Sequence, residues 1–335
     1  MEVKQITNKS EWEQFVLSQS YTLFVQSSHY GEFYEALGEQ SSILSVFDDD
    51  KLVGGSLVVS THARRGDFLY LPYGPLGEGA EILFFYLKKF AKENKFDFIR
   101  CSPFWLLAGG GENILKQSGF RHAPMHILAE NTWLLNLDKT EDELLAQMEK
   151  THRYLIRRCE KGGGRVKKST DQDVLEQFNN LHDETAKRHK FHRFSEGYIK
   201  KEFDAFAPHN ETMIMNGYLP DGRLDSSAII FFYGNMAAYR HGASLNLDNK
   251  LSTSYLVQWE AIKEAKRRGI KWYNFWGVIP AKAGKNHPFY GITHFKKGFG
   301  GAQMDLVRCH DLPISWRYWF NWIIETLRSL KRGFK

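Results

Sequence analysis

Residues 294–301 read HFKKGFGG, two lysines between two phenylalanines closed by a glycine pair. A lysine fenced by aromatic rings and glycines can be held over an anion or a developing negative charge. The same string also reads as an exposed glycine turn with solvated lysines. Few other residues compete for a chemical role. No Ser-His-Asp or Cys-His spacing commits the chain to a covalent intermediate. Cys101, Cys159 and Cys309 are far apart and odd in number, which implies neither a zinc cluster nor a disulfide framework. His182, His189 and His192 lie near one helical segment and His241 lies in YRHGAS. Without a cysteine or carboxylate pattern these read as packed or solvated histidines, so no metal and no cofactor are expected.

Charge and aromatic content narrow the partners. The formal charge is +6, and it is concentrated. Lys150, Arg153, Arg157, Arg158, Lys161, Arg165, Lys167 and Lys168 face a single acid, Glu160, in one stretch. Lys263, Lys266, Arg267, Arg268 and Lys271 form a second cluster, and Arg328, Lys331, Arg332 and Lys335 a third. Such clusters attract phosphate on nucleic acid, nucleotide or lipid headgroup, or serve as a solvated basic face. Aromatic residues make up 15% of the chain, enough for stacking walls as well as cores. The start, MEVKQITNKSEWEQF, has no apolar signal region, and no run of ~20 apolar residues could span a bilayer, so a cytoplasmic protein is expected.

The elements that must position these groups form two similar series. At 335 residues the chain exceeds one ordinary core. EWEQFVLSQ reads as a helix, and SILSVFDDDKLVGGSLVVSTHARRGDFLYLPYGP as strands with a hairpin tip at Asp48–Asp50. GAEILFFYLKKFAKENK is an amphipathic helix, FDFIRCSP a strand, and HILAENTWLLNL a strand ending at Asp138. The pattern then restarts. KTEDELLAQMEKTHRYLIRRCEK reads as one helix stopped by the glycines at 162–164, RVKKS is extended, and DVLEQFNNLHDETAKRHKF is a long helix. Strands TMIMNGYL, SSAIIFFYG and MAAYRHGAS precede the helix STSYLVQWEAIKEAKRRG. That helix has Ser252 as its expected N-cap, Gly269 as its stop, and Leu256, Trp259 and Ile262 on one face. KWYNFWG is the last strand before HFKKGFGG. Two tandem α/β domains follow from the repeated order of strands, helix, strand.

From residue 231 onward, FFYGNMAAYRHGASLN, LSTSYLVQWEAIKEAKRRGIKWYNFWGV and FYGITHFKKGFGG closely resemble the FemABX family of peptidoglycan interpeptide-bridge aminoacyltransferases. The four family motifs occur in order at Tyr239–Ser244, Tyr255–Trp259, Tyr273–Gly277 and Phe295–Gly300. FVQSSHYGEF, YLPYGP at 70–75, RYLIRRCEKGG at 153–163 and TAKRHKF extend the resemblance over the whole chain. It implies an α/β (α+β) protein of two tandem Gcn5-related acetyltransferase-like domains, with mixed sheets flanked by helices. The expected divisions are 1–145 on the acceptor side, 146–310 on the aminoacyl-tRNA side, and an amphipathic tail at 311–335. Some members add a coiled-coil arm to the second domain. The short stretch between the helix ending near Phe194 and the strand near Thr212 leaves no room for it, so the chain resembles the compact type.

The resemblance implies transfer of an aminoacyl group from aminoacyl-tRNA to an amine of the stem peptide on lipid II or UDP-MurNAc-pentapeptide. Lys296 matches the family's Phe-Lys lysine, implied to act at the aminoacyl-tRNA end by phosphate contact or oxyanion stabilisation. Phe295 would shape the channel for the terminal adenosine. Tyr34, Phe104, Arg193, Tyr198, Tyr239 and Tyr255 are the candidate acceptor-binding residues by position. Two departures bear on the acceptor: Tyr34 stands where members often carry a lysine, and Ser102-Pro103 where Asp-Pro is common. Gly298, Gly300 and Gly301 are expected to serve turns, and Lys297 to be a surface charge. The tail LPISWRYWFNWIIETLRSLKRGFK suits either a helix at a lipid headgroup interface, which favours lipid II, or a terminal helix packed on the second domain. The compact form permits a monomer. Two rivals stay open, an acyl-CoA N-acyltransferase and a non-catalytic RNA- or membrane-binding protein. The first lacks a glycine-rich pyrophosphate loop before EILFFYLKK or STSYLVQW.

Overall fold

The computed structural model describes residues 1–63, 66–189, 191–248 and 250–332, with Arg332 by its backbone alone. Lys190 of TAKRHKF, Lys335 and the Arg332 side chain, named above, lie outside that description. The chain forms two compact units, Met1–Glu130 with Met304–Lys335, and Asn131–Gln303.

The first stretch runs β1 (Glu2–Ile6), α1 (Lys9–Leu17), α2 (Ser28–Ala36), β2 (Gln40–Asp48), β3 (Lys51–Ala63), β4 (Gly66–Tyr73), β5 (Leu76–Gly77), α3 (Ala80–Glu93), β6 (Phe98–Pro103), α4 (Gly111–Gln117) and β7 (Arg121–His122). The middle runs β8 (Asn131–Asn136), α5 (Glu141–Gln147), α6 (Lys150–Lys161), β9 (Arg165–Ser169), α7 (Gln172–His189), α8 (Glu196–Phe206), β10 (Thr212–Tyr218), β11 (Leu224–Tyr233), β12 (Met236–Ser244), α9 (Thr253–Arg267), β13 (Trp272–Gly277) and α10 (Tyr290–Lys297). After β14 (Ala302–Asp305) come β15 (His310–Pro313) and α11 (Tyr318–Arg332).

The first unit is an eight-stranded sheet in the order β1-β2-β3-β4-β6-β15-β7, with β5 on β3. Leu44, Val46, Val58, Leu69, Leu71 and Ile99 meet Leu83, Phe84 and Leu87 of α3 in its core. The division differs from the expected one at both ends. β15 inserts between β6 and β7, pairing His310 with Cys101, so the tail completes the first unit's sheet. Arg100 secures it: the buried guanidinium donates to both oxygens of buried Asp311 at 2.8 Å and to Glu325 of α11 at 2.7 Å. Removing Arg100 would leave the Asp311 and Glu325 carboxylates without their counter-charge.

The second unit has the order β8-β13-β12-β11-β10-β9, with the start of β14 outside β8. β11 is buried along nearly its whole length, as a strand covered on both faces must be. α9 ends where expected: Gly269 takes φ 73°, its N–H bonds Lys266 O, and Ile270 N–H bonds Ala265 O at 3.0 Å. Leu256, Trp259 and Ile262 are buried on its inner face. Ser252 occupies the N-cap position, but its side chain makes no capping bond.

Readings of single elements change as well. KTEDELLAQMEKTHRYLIRRCEK is two helices, because Met148 and Glu149 are extended and Glu149 N–H bonds Gly298 O at 2.8 Å. HILAENTWLLNL contributes a strand only at Asn131–Asn136. HFKK is the last turn of α10, not an exposed glycine turn.

One asymmetry matters for the site. Each unit has a strand-helix-strand crossover between parallel strands. In the first, β4 and β6 stay in register over six residues, Phe68–Tyr73 against Phe98–Pro103. In the second, β12 and β13 pair only at Met236–Ala238 against Trp272–Asn274, and then part. Two irregularities mark the parting. Ile229 pairs with His241 and Ile230 with Tyr239, leaving Arg240 as a bulge. β13 loses register with β8 between Asn274 and Gly277, and Trp276 takes φ 65°. The Asn274 side-chain oxygen accepts the Trp276 N–H at 2.7 Å and supports this turn.

Candidate active site

A parallel sheet is accessible to ligands where adjacent strands diverge at their C-terminal ends, because backbone and side chains there are not filled by a neighbouring strand. Lys296 reaches that divergence. It lies on the last turn of α10, is only 8% exposed, and donates from Nζ to the Gly277 carbonyl at 2.7 Å. The same Nζ stands 5.8 Å from the centre of the Tyr239 ring, on the first β12 residue beyond the parallel pairing. Among the described residues it has no ion-pair partner, and burial alone pushes its pKa down to about 7. The amine is thus balanced between charged and neutral near pH 7, and an arriving anion would shift it toward the cation.

Tyr239 is held by a feature of its own motif. A Cβ on Gly242 would lie 1.8 Å from the Tyr239 hydroxyl, so glycine is what lets the ring lie along the strand. Burial raises the Tyr239 hydroxyl to about 12, which keeps it protonated.

Phe295 points into an aromatic cluster. Its ring meets Tyr255 of α9 at 5.0 Å and Phe299 at 5.2 Å, both edge-on. His152 of α6 joins them, 4.8 Å from Tyr255, and donates from Nε2 to the Phe295 carbonyl at 2.9 Å. Burial lowers the His152 pKa, so the ring is neutral, with the proton on the nitrogen that makes this bond. Gly298 is required by the same contact: a Cβ there would fall 1.8 Å from the His152 ring. Its φ of −66° is ordinary, so close approach rather than a turn explains this glycine. Gly300 and Gly301, at φ 86° and 96°, do make the turn. Lys297 lies 5.1 Å from the Trp133 ring and is half-buried.

The bulge at Arg240 builds a second layer. Arg240 donates to buried Glu202 of α8 at 3.0 Å, and His241 Nε2 donates to the same carboxylate at 2.6 Å. Burial would raise Glu202, but Arg240 and His241 outweigh it and hold the carboxyl below its usual range. The Arg240 guanidinium lies 5.3 Å from the Trp276 ring and 3.4 Å from the Tyr198 hydroxyl. Trp276 precedes the carbonyl that holds Lys296, so Tyr198 reaches the site's surroundings through this layer. Arg193 is occupied further out, bonded to Asp183, Asn179, Glu196 and the Phe194 carbonyl.

Lys296, Phe295, Tyr239 and Tyr255 are therefore brought together, with Tyr198 adjoining and Arg193 fixing α7 to α8. Tyr34 and Phe104 lie in the first unit. Tyr34 meets Tyr30 edge-on at 5.2 Å, and Phe104 meets Tyr73 at 5.1 Å. Sequence reasoning missed His152, Arg240, Glu202, Trp276 and the Gly277 carbonyl. His152 stood one residue before the quoted RYLIRRCEKGG, and its signal, a histidine on the apolar face of a basic helix, resembles ordinary packing.

The paired crossovers, one zipped and one parted around a buried lysine, define two tandem α/β units, a plan shared with solved tandem acetyltransferase-like structures. A crystal structure of FemX superimposes with a TM-score of 0.85 at 20% identity, covering 97% of this chain and all of that one. L-PGS from Bacillus licheniformis gives 0.58 at 11% identity, covering 97% and 99%. A tandem GNAT protein from the clavulanic acid pathway gives 0.57 at 11%, covering 94% and 98%. The FemAB family model matches residues 7–221 and 221–325, and the chain belongs to the FemAB family. The lipid II:glycine glycyltransferases of Staphylococcus epidermidis and Staphylococcus aureus are each 23% identical to it, over 90% of this chain and 90% of theirs.

Proposed function

We propose that the chain is an aminoacyltransferase that moves an amino acid from aminoacyl-tRNA to an amine of the stem peptide of a peptidoglycan precursor. The observation that carries this reading is Lys296, a buried amine of pKa about 7 at the divergence of β12 and β13. In the reaction the acceptor nitrogen attacks the ester carbonyl of the charged tRNA and the C–N bond forms. The ester C–O bond breaks, and the proton lost by the amine leaves with the ribose hydroxyl. Charge develops on the carbonyl oxygen between these events. Lys296, as the ammonium, stabilises that oxyanion or the neighbouring phosphate, and the fixed aromatic cluster around Phe295 orients the ester.

Two surfaces support the partners. α6 carries Lys150, Tyr154, Arg157 and Lys161 along its outer face, lining a basic groove with Arg153 and Arg158. A basic strip of this kind suits the phosphates of an acceptor stem. The same helix reaches inward through His152 to the Phe295 carbonyl. In the first unit, α11 keeps Tyr318 and Asn321 buried, while Trp319, Phe320, Ile323, Ile324, Leu327 and Leu330 are exposed. The packing alternative for the tail named the second domain, but α11 belongs to the first unit and turns much apolar surface outward. No helix of the described residues is long and apolar enough to cross a membrane. An outward apolar helix suits the membrane interface and hence lipid II, the substrate in the relatives' names. Tyr34, Phe104, Tyr198, Tyr239 and Tyr255 are the acceptor-side candidates, with Arg193 a support for Tyr198's neighbourhood.

The test is transfer of label from glycyl-, alanyl- or seryl-tRNA to lipid II or to UDP-MurNAc-pentapeptide. Transfer is expected, with glycine the first donor to try, and Lys296→Met should lower turnover by at least about a hundredfold, as loss of one oxyanion donor does. Activity with acyl-CoA and none with charged tRNA would overturn the reading. An unchanged rate in Lys296→Met would remove the lysine from the mechanism.

A further inference from the structure

A second constellation lies in the first unit, within a single fold. Glu112 of α4, His122 of β7 and His310 of β15 each offer one ligand atom, and the three atoms lie within 4.8 Å of one another. His310 is fully buried. Its Nδ1 lies 2.8 Å from the Arg308 carbonyl, so that nitrogen holds the proton and Nε2 presents a lone pair. Among the described residues this buried Nε2 has no hydrogen-bond partner, and it stands 3.9 Å from Glu112 Oε1. The His122 ring stacks on His310 at 4.5 Å, with Nε2 3.6 Å from the same carboxylate oxygen.

A buried lone pair beside a second imidazole and an ionised carboxylate calls for a cation. We propose that Glu112, His122 and His310 bind one divalent transition-metal ion of the zinc class. Two imidazole nitrogens and one carboxylate oxygen are a borderline donor set that suits zinc and its cobalt or nickel substitutes better than magnesium or calcium. The Arg308 carbonyl is the outer partner that fixes the His310 tautomer, as such partners do at metal-bound imidazoles. Lys116 competes for the site, with Nζ 2.8 Å from Glu112 Oε1. Its side chain is largely exposed and can swing to solvent, whereas Glu112 and His122 retain enough freedom to close on the ion. The ion would tie α4 and β7 to β15, the strand by which the chain returns to the first unit. This proposal does not rest on the transferase reading.

The full-length chain, tag-free and stripped with a chelator, is titrated with zinc chloride by calorimetry and with cobalt chloride by visible absorption. One equivalent is expected, with a tetrahedral-type cobalt spectrum and a raised melting temperature. His122→Asn and Glu112→Gln alter partly exposed side chains, so their metal-free melting temperatures should stay close to that of the parent. Each should weaken binding by at least about tenfold. Lys116→Met should strengthen it, a gain that misfolding cannot mimic. Absence of stoichiometric binding, or binding unchanged in all three variants, would overturn the proposal.

Discussion

At the scale of single residues, Lys296 pays for its position in stability. Its folded pKa of about 7 lies below the 10.5 of a solvated lysine. That gap corresponds to roughly 5 kcal/mol between the two protonation states. Between these values the unfolded chain binds a proton that the folded chain does not, so stability rises with pH across this window. Below pH 7 both states are charged and the full cost is present. Lys296→Met should therefore raise the melting temperature at pH 7, and the pH dependence of stability between 7 and 10.5 should flatten. If the ammonium is the active form, kcat/KM of the parent should fall as pH rises through about 7. Melting curves and rates across that range check both, and a lower melting temperature in the variant would show that the bond to Gly277 O outweighs the buried charge. A side chain that costs stability where it sits, yet is held by backbone and ring contacts, supports the role proposed for Lys296.

At the scale of elements, α6 and α10 behave as one device. The outer face of α6 is basic, and its inner His152 bonds the α10 carbonyl next to Lys296. Contact between the helices depends on Gly298. Gly298→Ala should destabilise the chain by about 1–3 kcal/mol, the range for overpacking a tight interior. It should also lower turnover, because the displaced His152 carries Phe295 with it. Urea melts read the first effect and transfer rates the second; an unperturbed melt would show that His152 yields without cost. This contact also explains what was legible in sequence and what was not. The glycines of HFKKGFGG could be seen as special, but not that Gly298 serves a histidine 146 positions earlier in the chain while Gly300 and Gly301 serve the turn. Periodicity located α9 and its glycine stop because both are local. It merged α5 with α6 because the break at Met148–Glu149 depends on a distant carbonyl, that of Gly298.

At the scale of the whole chain, the tail shows how topology redirects a sequence signal. An aromatic, basic helix could face a core or an interface, and Arg100 decides which side faces inward by gripping Glu325. The exposed residues should make membrane association depend on α11. A Phe320→Ser, Leu327→Ser double variant should bind anionic vesicles at least about tenfold more weakly, since each buried apolar side chain contributes on the order of 1.5–3 kcal/mol. Its transfer to vesicle-borne lipid II should fall while transfer to UDP-MurNAc-pentapeptide is kept. Vesicle co-sedimentation and the paired assays check this, and equal loss on both acceptors would mean that α11 acts through the fold.

Sequence alone determined the α/β class, the tandem plan, the family motifs and the singling out of Lys296, since these rest on local periodicity and ordered short strings. Tertiary structure decided the rest. It parted β12 from β13, drew Tyr239 and the Gly277 carbonyl around one amine, removed that amine from water, and returned residues 304–332 to the first unit. It also gathered Glu112, His122 and His310, which no spacing rule connects. Burial, divergence of strands and convergence of distant side chains are properties of packed chains, and a one-dimensional pattern carries the residues for them without their distances.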